Sequence, residues 1–221
     1  ILLFMGIALD ALCWPPQFID ILVSSGYRVI RFDNRSTGMS DWVENWDKNN
    51  PYSLTDMAAD GVAILDELKI EKANIVGVSM GGMIAQELAI NYPKRVSSLT
   101  SIMASGDLED NEVPGISKTT IGNLVMVALK YATIKNDKNL IKLQVASRLL
   151  LMNSEQYELN IKEISEQVLY NIKRRKGYDP KVMYQHEAAI YLSGSRNDRL
   201  GNITVPTLFI HGEHDPLIPI E

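Results

Sequence analysis

The nine residues IVGVSMGGM, Ile75 to Met83, decide the fold. A β-branched run leads into Gly77, Ser79 follows two residues on, Gly81 stands two beyond it, and an apolar helical pattern opens at once. A bare Gly-x-Ser-x-Gly arises by chance in about one chain of this size in twenty, so the spacing alone decides little. The context decides: a buried strand before the motif and a helix after it. A serine between the two sits on a sharp, strained turn, where strand and helix backbones pass so closely that a Cβ at position 77 or 81 would clash. The turn lifts the Ser79 hydroxyl clear of the sheet and sets the Met80 N–H at a helix N-terminus, where it can face a developing oxyanion.

Outward from this motif, short apolar runs alternate with helical patterns. ILLFM, YRVIRFD, ANIVGV, VSSLTSIM and, much later, TVPTLFIHG read as strands. PPQFIDILVSSG reads as a helix through Phe18, Ile21 and Leu22, closed by Gly26. SLTDMAADGVAILDELKI reads as another, capped by Ser53 with Asp56 in its first turn and Met57, Val62, Leu65 and Leu68 on one apolar face. MGGMIAQELAINYP is a third, stopped by Pro93. Strand and helix in alternation require parallel crossovers, hence an α/β fold: a mostly parallel sheet covered on both faces. Between about 104 and 199 no β-branched run appears, and four helical patterns predict an all-helical insertion. The sheet domain is therefore expected over residues 1–103 and 200–221.

Composition narrows the function classes. The 221 residues are 46% apolar, enough for one sizeable core. With 22 basic against 27 acidic side chains, interspersed, the net charge is −5. Such a surface suits neither nucleic acid nor an anionic membrane. Cys13 is the single cysteine, which excludes an internal disulfide and fits a reducing, cytoplasmic setting. Lys173 to Lys176 reads as a solvated helix end rather than a binding patch. The chain opens in mid-strand, with no basic leader; truncation at both ends is expected.

These features resemble the α/β-hydrolase fold superfamily, and the resemblance runs along essentially the whole chain. VIRFDNRSTGMSDW is similar to that superfamily's Asp-x-Arg-Gly-x-Gly-x-Ser loop, with Asp33, Arg35, Gly38 and Ser40 in place and Ser36 where the first glycine usually stands. These residues are expected to be structural. Within the superfamily the chain resembles the serine esterase-like group around aclacinomycin methylesterase, through its Met-Gly start, Ala-Leu-x-Trp continuation and Asp-x-Arg-x-Thr-Gly-x-Ser loop. The resemblance implies Ser79 as nucleophile, with the backbone N–H groups of Met80 and Ile7 as oxyanion donors. Gly6, Trp14 and Met152 are candidate pocket residues, although a core role fits Trp14 as well. The turn Gly212 to Pro216 matches the family's Gly-x-x-Asp-Pro, making Asp215 the acid, though Asp before Pro is also a common turn former. No metal or cofactor is implied.

The family's triad runs serine, acid, histidine in chain order, and no histidine follows Asp215 in this sequence. His211 stands too close behind the acid, and His214 is adjacent to it with a diverging side chain. His186 reads as half-buried on a helix face and is a poor stand-in base. The base is expected beyond Glu221, so that this stretch alone is inactive. The expected reaction is hydrolysis of a small to medium, apolar ester through an acyl-enzyme. Carbon–carbon bond hydrolysis or perhydrolysis by the same groups, or a non-catalytic receptor or scaffold, are the alternatives. Oligomeric state is not readable from the sequence.

Overall fold

The computed structural model describes residues 1–110, 117–131, 136–152 and 158–218. Its residues group into two compact units, Ile1–Glu109 with Asp179–His211, and Asp110–Tyr178 with Gly212–Glu221.

The first unit holds a five-stranded sheet. Strands β1 (Leu2–Phe4), β2 (Ile30–Arg31), β3 (Ala73–Val78), β4 (Val96–Ile102) and β5 (Thr207–Ile210) lie in the order β2-β1-β3-β4-β5, and every pair is parallel. Phe4 registers with Gly77, and Gly77 with Ser101. The C-terminal ends of β1, β3 and β4 therefore meet at one edge, where loops can assemble a site. β2 is shorter than YRVIRFD suggests. Only Ile30 and Arg31 pair with β1; Phe32 then packs edge-on against Phe4, and Asp33 leaves the ladder to bond loop amides.

Helix α1 (Pro16–Ser24) starts on proline, whose missing N–H costs nothing at that position. Phe18 and Leu22 are half-buried as expected, but Ile21 is exposed. Helix α2 (Leu54–Glu67) begins with a full capping box between Ser53 and Asp56. It buries Leu54, Met57, Ala58, Gly61 and Leu65, the spacing of one helical face. Leu68 departs from the expected stripe. It lies past the last turn, where Lys69 reverses the chain at φ +55°, and it stays exposed. Helix α3 (Met80–Asn91) is buried from Met80 through Ala89 and packs on β1, β3, β4 and α2.

The second unit contains α4 (Lys118–Tyr131), α5 (Asp137–Leu151) and α6 (Ile161–Arg174), packed consecutively. Asn136 and Asn160 cap α5 and α6 through their side-chain oxygens. Lys173 pairs with Asp137 at 2.6 Å. Parts of the sequence-predicted helices, residues 132–134 and 155–157, fall outside the described residues.

Helices α7 (Lys181–Ser193) and α8 (Asn197–Leu200) group with the sheet unit, although the sequence places them within the expected 104–199 insertion. The reason is polar. Ser193 Oγ accepts from the Leu54 N–H (2.8 Å), and Gln185 Nε2 donates to the Val43 carbonyl (3.0 Å). Buried Arg196 donates to Gln86 Oε1 and the Ser105 carbonyl, each at 3.0 Å, while Arg199 clasps the fully buried Glu87 carboxylate with Nη1 and Nη2. Helical periodicity carries no trace of such long-range bonds.

Candidate active site

Ser79 stands between β3 and α3 with φ +56° and ψ −126°, a conformation that costs a non-glycine residue about 1–3 kcal/mol. The surroundings hold it there. Its N–H donates to the Ile102 carbonyl (2.8 Å), and its own carbonyl accepts from Gly82 (2.8 Å) and Met83 (3.2 Å). A Cβ on Gly77 would strike the Gly81 carbonyl, and one on Gly81 the Phe4 carbonyl. Gly82, next in the chain, is also tightly placed: a Cβ there would lie 2.6 Å from the Ala104 Cβ and 2.9 Å from Ser101 Oγ.

Beside the serine runs the turn after β1. A Cβ placed on Gly6 would come within 3.3 Å of the Ser79 Cβ, a tight approach, and 3.7 Å of its Oγ, an ordinary contact, so the turn runs directly beside the serine side chain. The turn closes through Leu9 N–H on the Gly6 carbonyl (3.3 Å), with Ala8 at φ +54°. Among the described residues nothing accepts from the Ile7 N–H. The Met80 N–H is the first of α3 and has no acceptor within the helix. Ser79, Met80, Gly6 and Ile7 thus share one neighbourhood in the sheet unit.

The loop after β2 braces this neighbourhood. Asp33 accepts from the Ala11 N–H (2.9 Å) and the Met39 N–H (2.8 Å), and buried Asn34 donates to the Met5 carbonyl (3.0 Å). Arg35 holds Asp60 with two nitrogens and lies over the Tyr52 ring. Ser36, where the superfamily usually has glycine, takes φ +64°, the left-handed region that glycine enters most easily. Its Oγ accepts from the Val43 N–H (3.0 Å), a bond glycine cannot make.

Trp14 is buried with Leu3, Met5 and Val76 and stacks on Phe18 at 5.1 Å, a place in the core beneath the turn. Asp215 and Met152 lie in the second unit. There Asp215 Oδ1 accepts from the N–H groups of Leu217 (2.8 Å) and Ile218 (2.9 Å), which orients the carboxylate, while the Asp215 N–H donates to the Gly212 carbonyl (3.2 Å) and closes the turn. His214 is exposed and His211 half-buried.

His186 corrects the sequence reading. It is fully buried, not half-buried. Nδ1 accepts from the Ala8 N–H (3.0 Å), which leaves Nε2 to donate to the Arg35 carbonyl (3.0 Å). Burial, with the Arg35 cation nearby, lowers its pKa to about 4, so the ring is neutral near pH 7. Both nitrogens are engaged with backbone, which rules it out as a base for Ser79. Its partners lie 178 and 151 residues away in sequence, and no local pattern announces them.

Among the described residues no cluster of side chains could hold a metal ion, and no helix is long and apolar enough to cross a membrane. A rhodomycin D methylesterase of Streptomyces peucetius is 29% identical over 231 aligned positions, covering 99% of this chain and 76% of the relative. A 3-oxoadipate enol-lactonase of Acinetobacter baylyi is 26% identical over 94% of this chain and 68% of its own length. Among solved structures, a hydrolase from Oleispira antarctica superposes with a TM-score of 0.69 at 25% identity, over 99% of this chain and 74% of its own. One from Pseudomonas aeruginosa reaches the same score at 21% identity, over 99% and 73%. The alpha/beta hydrolase fold model matches residues 1–221, and the chain belongs to that family.

Proposed function

We propose that this protein is a serine hydrolase cleaving a carboxylic ester through an acyl-enzyme. One observation carries the reading: a serine held in a strained elbow, with the Gly6–Ile7 turn running beside its hydroxyl. In the proposed reaction Ser79 Oγ attacks the ester carbonyl as a base removes its proton. The Met80 and Ile7 N–H groups receive the oxyanion, the alcohol departs, and water releases the acid. Asp215 is proposed to orient the base, a histidine in sequence C-terminal to Glu221, following the family's chain order. The relatives named for a methylesterase and an enol-lactonase both point to carboxylic ester chemistry. The helices between residues 110 and 178 are proposed as a lid segment that sets ester preference, Met152 as a candidate pocket residue, and a small to medium apolar ester as the substrate class.

The test is turnover of p-nitrophenyl acetate, with and without the C-terminal continuation. The longer protein is expected to hydrolyse the ester and to lose at least a thousandfold in kcat on Ser79→Ala, while the 221-residue chain stays silent. A fluorophosphonate should label Ser79 in the active form. Turnover that survives Ser79→Ala would end the proposal, and persistent failure to label would favour a non-catalytic scaffold.

A further inference from the structure

We propose that His186 is a positioning residue of the oxyanion hole, holding the Gly6-Ile7-Ala8 turn against Ser79 by accepting the Ala8 N–H; this rests on the hydrolase reading above.

Three observations on different segments converge on it. First, the turn is strained: Ala8 sits at φ +54°, where a residue with a Cβ is disfavoured by about 1–2 kcal/mol, so something outside the turn must hold it. Second, the local closure is weak, a single 3.3 Å bond from Leu9 to Gly6. The bond from Ala8 to the imidazole is shorter, at 3.0 Å, and comes from a helix 178 residues away. Third, the ring is itself immobilised. It has no exposed surface, Nε2 is anchored on the Arg35 carbonyl, Tyr52 packs edge-on at 6.3 Å, and Arg35 is clamped to Asp60 on α2.

The consequence follows from peptide geometry. Fixing the Ala8 N–H fixes the plane of the Ile7–Ala8 peptide. Ile7 is then left only its own φ and ψ in which to swing the N–H offered to an oxyanion. An oxyanion donor acts through being in place before charge develops, and loss of one costs about 10²–10³ in kcat. A donor that has become loose should cost part of that. His186 touches no reacting atom; it acts through Ala8.

Two replacements separate this role from simple packing. Asn places its Oδ1 near the position of the imidazole Nδ1 and can accept from Ala8, whereas Gln reaches toward the Nε2 position and serves Arg35 instead. In the active protein with p-nitrophenyl acetate, His186→Gln is expected to lower kcat about tenfold to a hundredfold with KM changed less than threefold, and His186→Asn to stay within about threefold of wild type. Amide exchange should show Ala8 protected in the wild type and in His186→Asn, and unprotected in His186→Gln. Equal kcat losses in the two variants, or a wild-type Ala8 amide that exchanges freely, would overturn the proposal. Should both variants fail to fold, the wild-type imidazole nitrogens still decide: an Nε2–H tautomer supports the assignment and an Nδ1–H tautomer refutes it. If Ser79→Ala leaves turnover intact, the hydrolase reading is what fails. Ala8 exchange needs no turnover and still reports whether His186 holds the turn.

Discussion

A buried, neutral imidazole makes the stability of the sheet unit depend on pH. His186 titrates near 4 in the folded protein against an ordinary 6.5 in the unfolded chain. Between those values the unfolded chain binds a proton that the folded one refuses, so stability falls as pH drops through that window. Above about pH 6.5 the contribution is fully present, and below about pH 4 nothing further is lost. The shift corresponds to something on the order of 3 kcal/mol. The groups facing the ring are Arg35, whose cation disfavours protonation, and Tyr52. Urea unfolding from pH 7.5 to 4.5 should therefore show a steeper loss of stability in the wild type than in His186→Asn. Parallel profiles would mean that His186 is accessible to protons in the fold. Ser36 shows the other face of single residues: its departure from the usual glycine was visible in the sequence, but only the structure supplies the compensation, a serine hydroxyl on the Val43 N–H.

At the scale of elements, α2 offers a clean test of how the chain ends a helix. Its last turn closes with Lys69 N–H on the Asp66 carbonyl and Ile70 N–H on the Leu65 carbonyl, and Lys69 takes φ +55°. That is a glycine position filled by an exposed lysine. Relief of the left-handed penalty, about 1–2 kcal/mol, exceeds glycine's extra entropy in the unfolded chain, roughly 0.5–1 kcal/mol. Lys69→Gly should thus stabilise by about 0.5–1 kcal/mol in urea denaturation, and a loss of stability would show that the lysine makes a contact worth more than the strain. The elements themselves were largely legible. Ser53 with Asp56 announced the start of α2, and the strand–serine–helix passage at Ile75 to Met83 announced β3, the elbow and α3. What was not legible depends on distant partners. The brevity of β2 follows from Asp33 being drawn off to the Met39 amide of its own loop and the Ala11 amide of the segment after β1, and the turn beside Ser79 is held by a histidine in α7.

For the whole molecule, the question is which residues fold together. Periodicity draws one boundary at 199, because nothing between 104 and 199 reads as a strand; α7 and α8 bond to the sheet unit through Ser193, Arg196 and Arg199. If those bonds define the unit, residues 110–178 can be removed without unfolding the rest. The chain ends at the cut are bridgeable. The Arg196 N–H already donates to the Gly106 carbonyl (2.8 Å), and the 13 residues of α7 span about 20 Å, within reach of a Gly/Ser linker of about 15 residues. A protein with 110–178 replaced by such a linker should still unfold cooperatively in urea, at lower stability. In the C-terminally extended form it should keep fluorophosphonate labelling of Ser79 while losing preference among p-nitrophenyl esters of different acyl length, because the proposed lid has gone. Arg199→Ala in that shortened protein removes the cation paired with the buried Glu87 carboxylate and should cost about a further 2 kcal/mol, less than the usual figure of about 3–5 because Arg199 is partly exposed and Arg196, Thr55 and Asn91 still face the carboxylate. Non-cooperative unfolding of the shortened protein would show instead that the helical segment is part of the same folding unit. Unchanged ester selectivity would remove the lid from the proposal and leave the elbow, the turn and His186 to act alone.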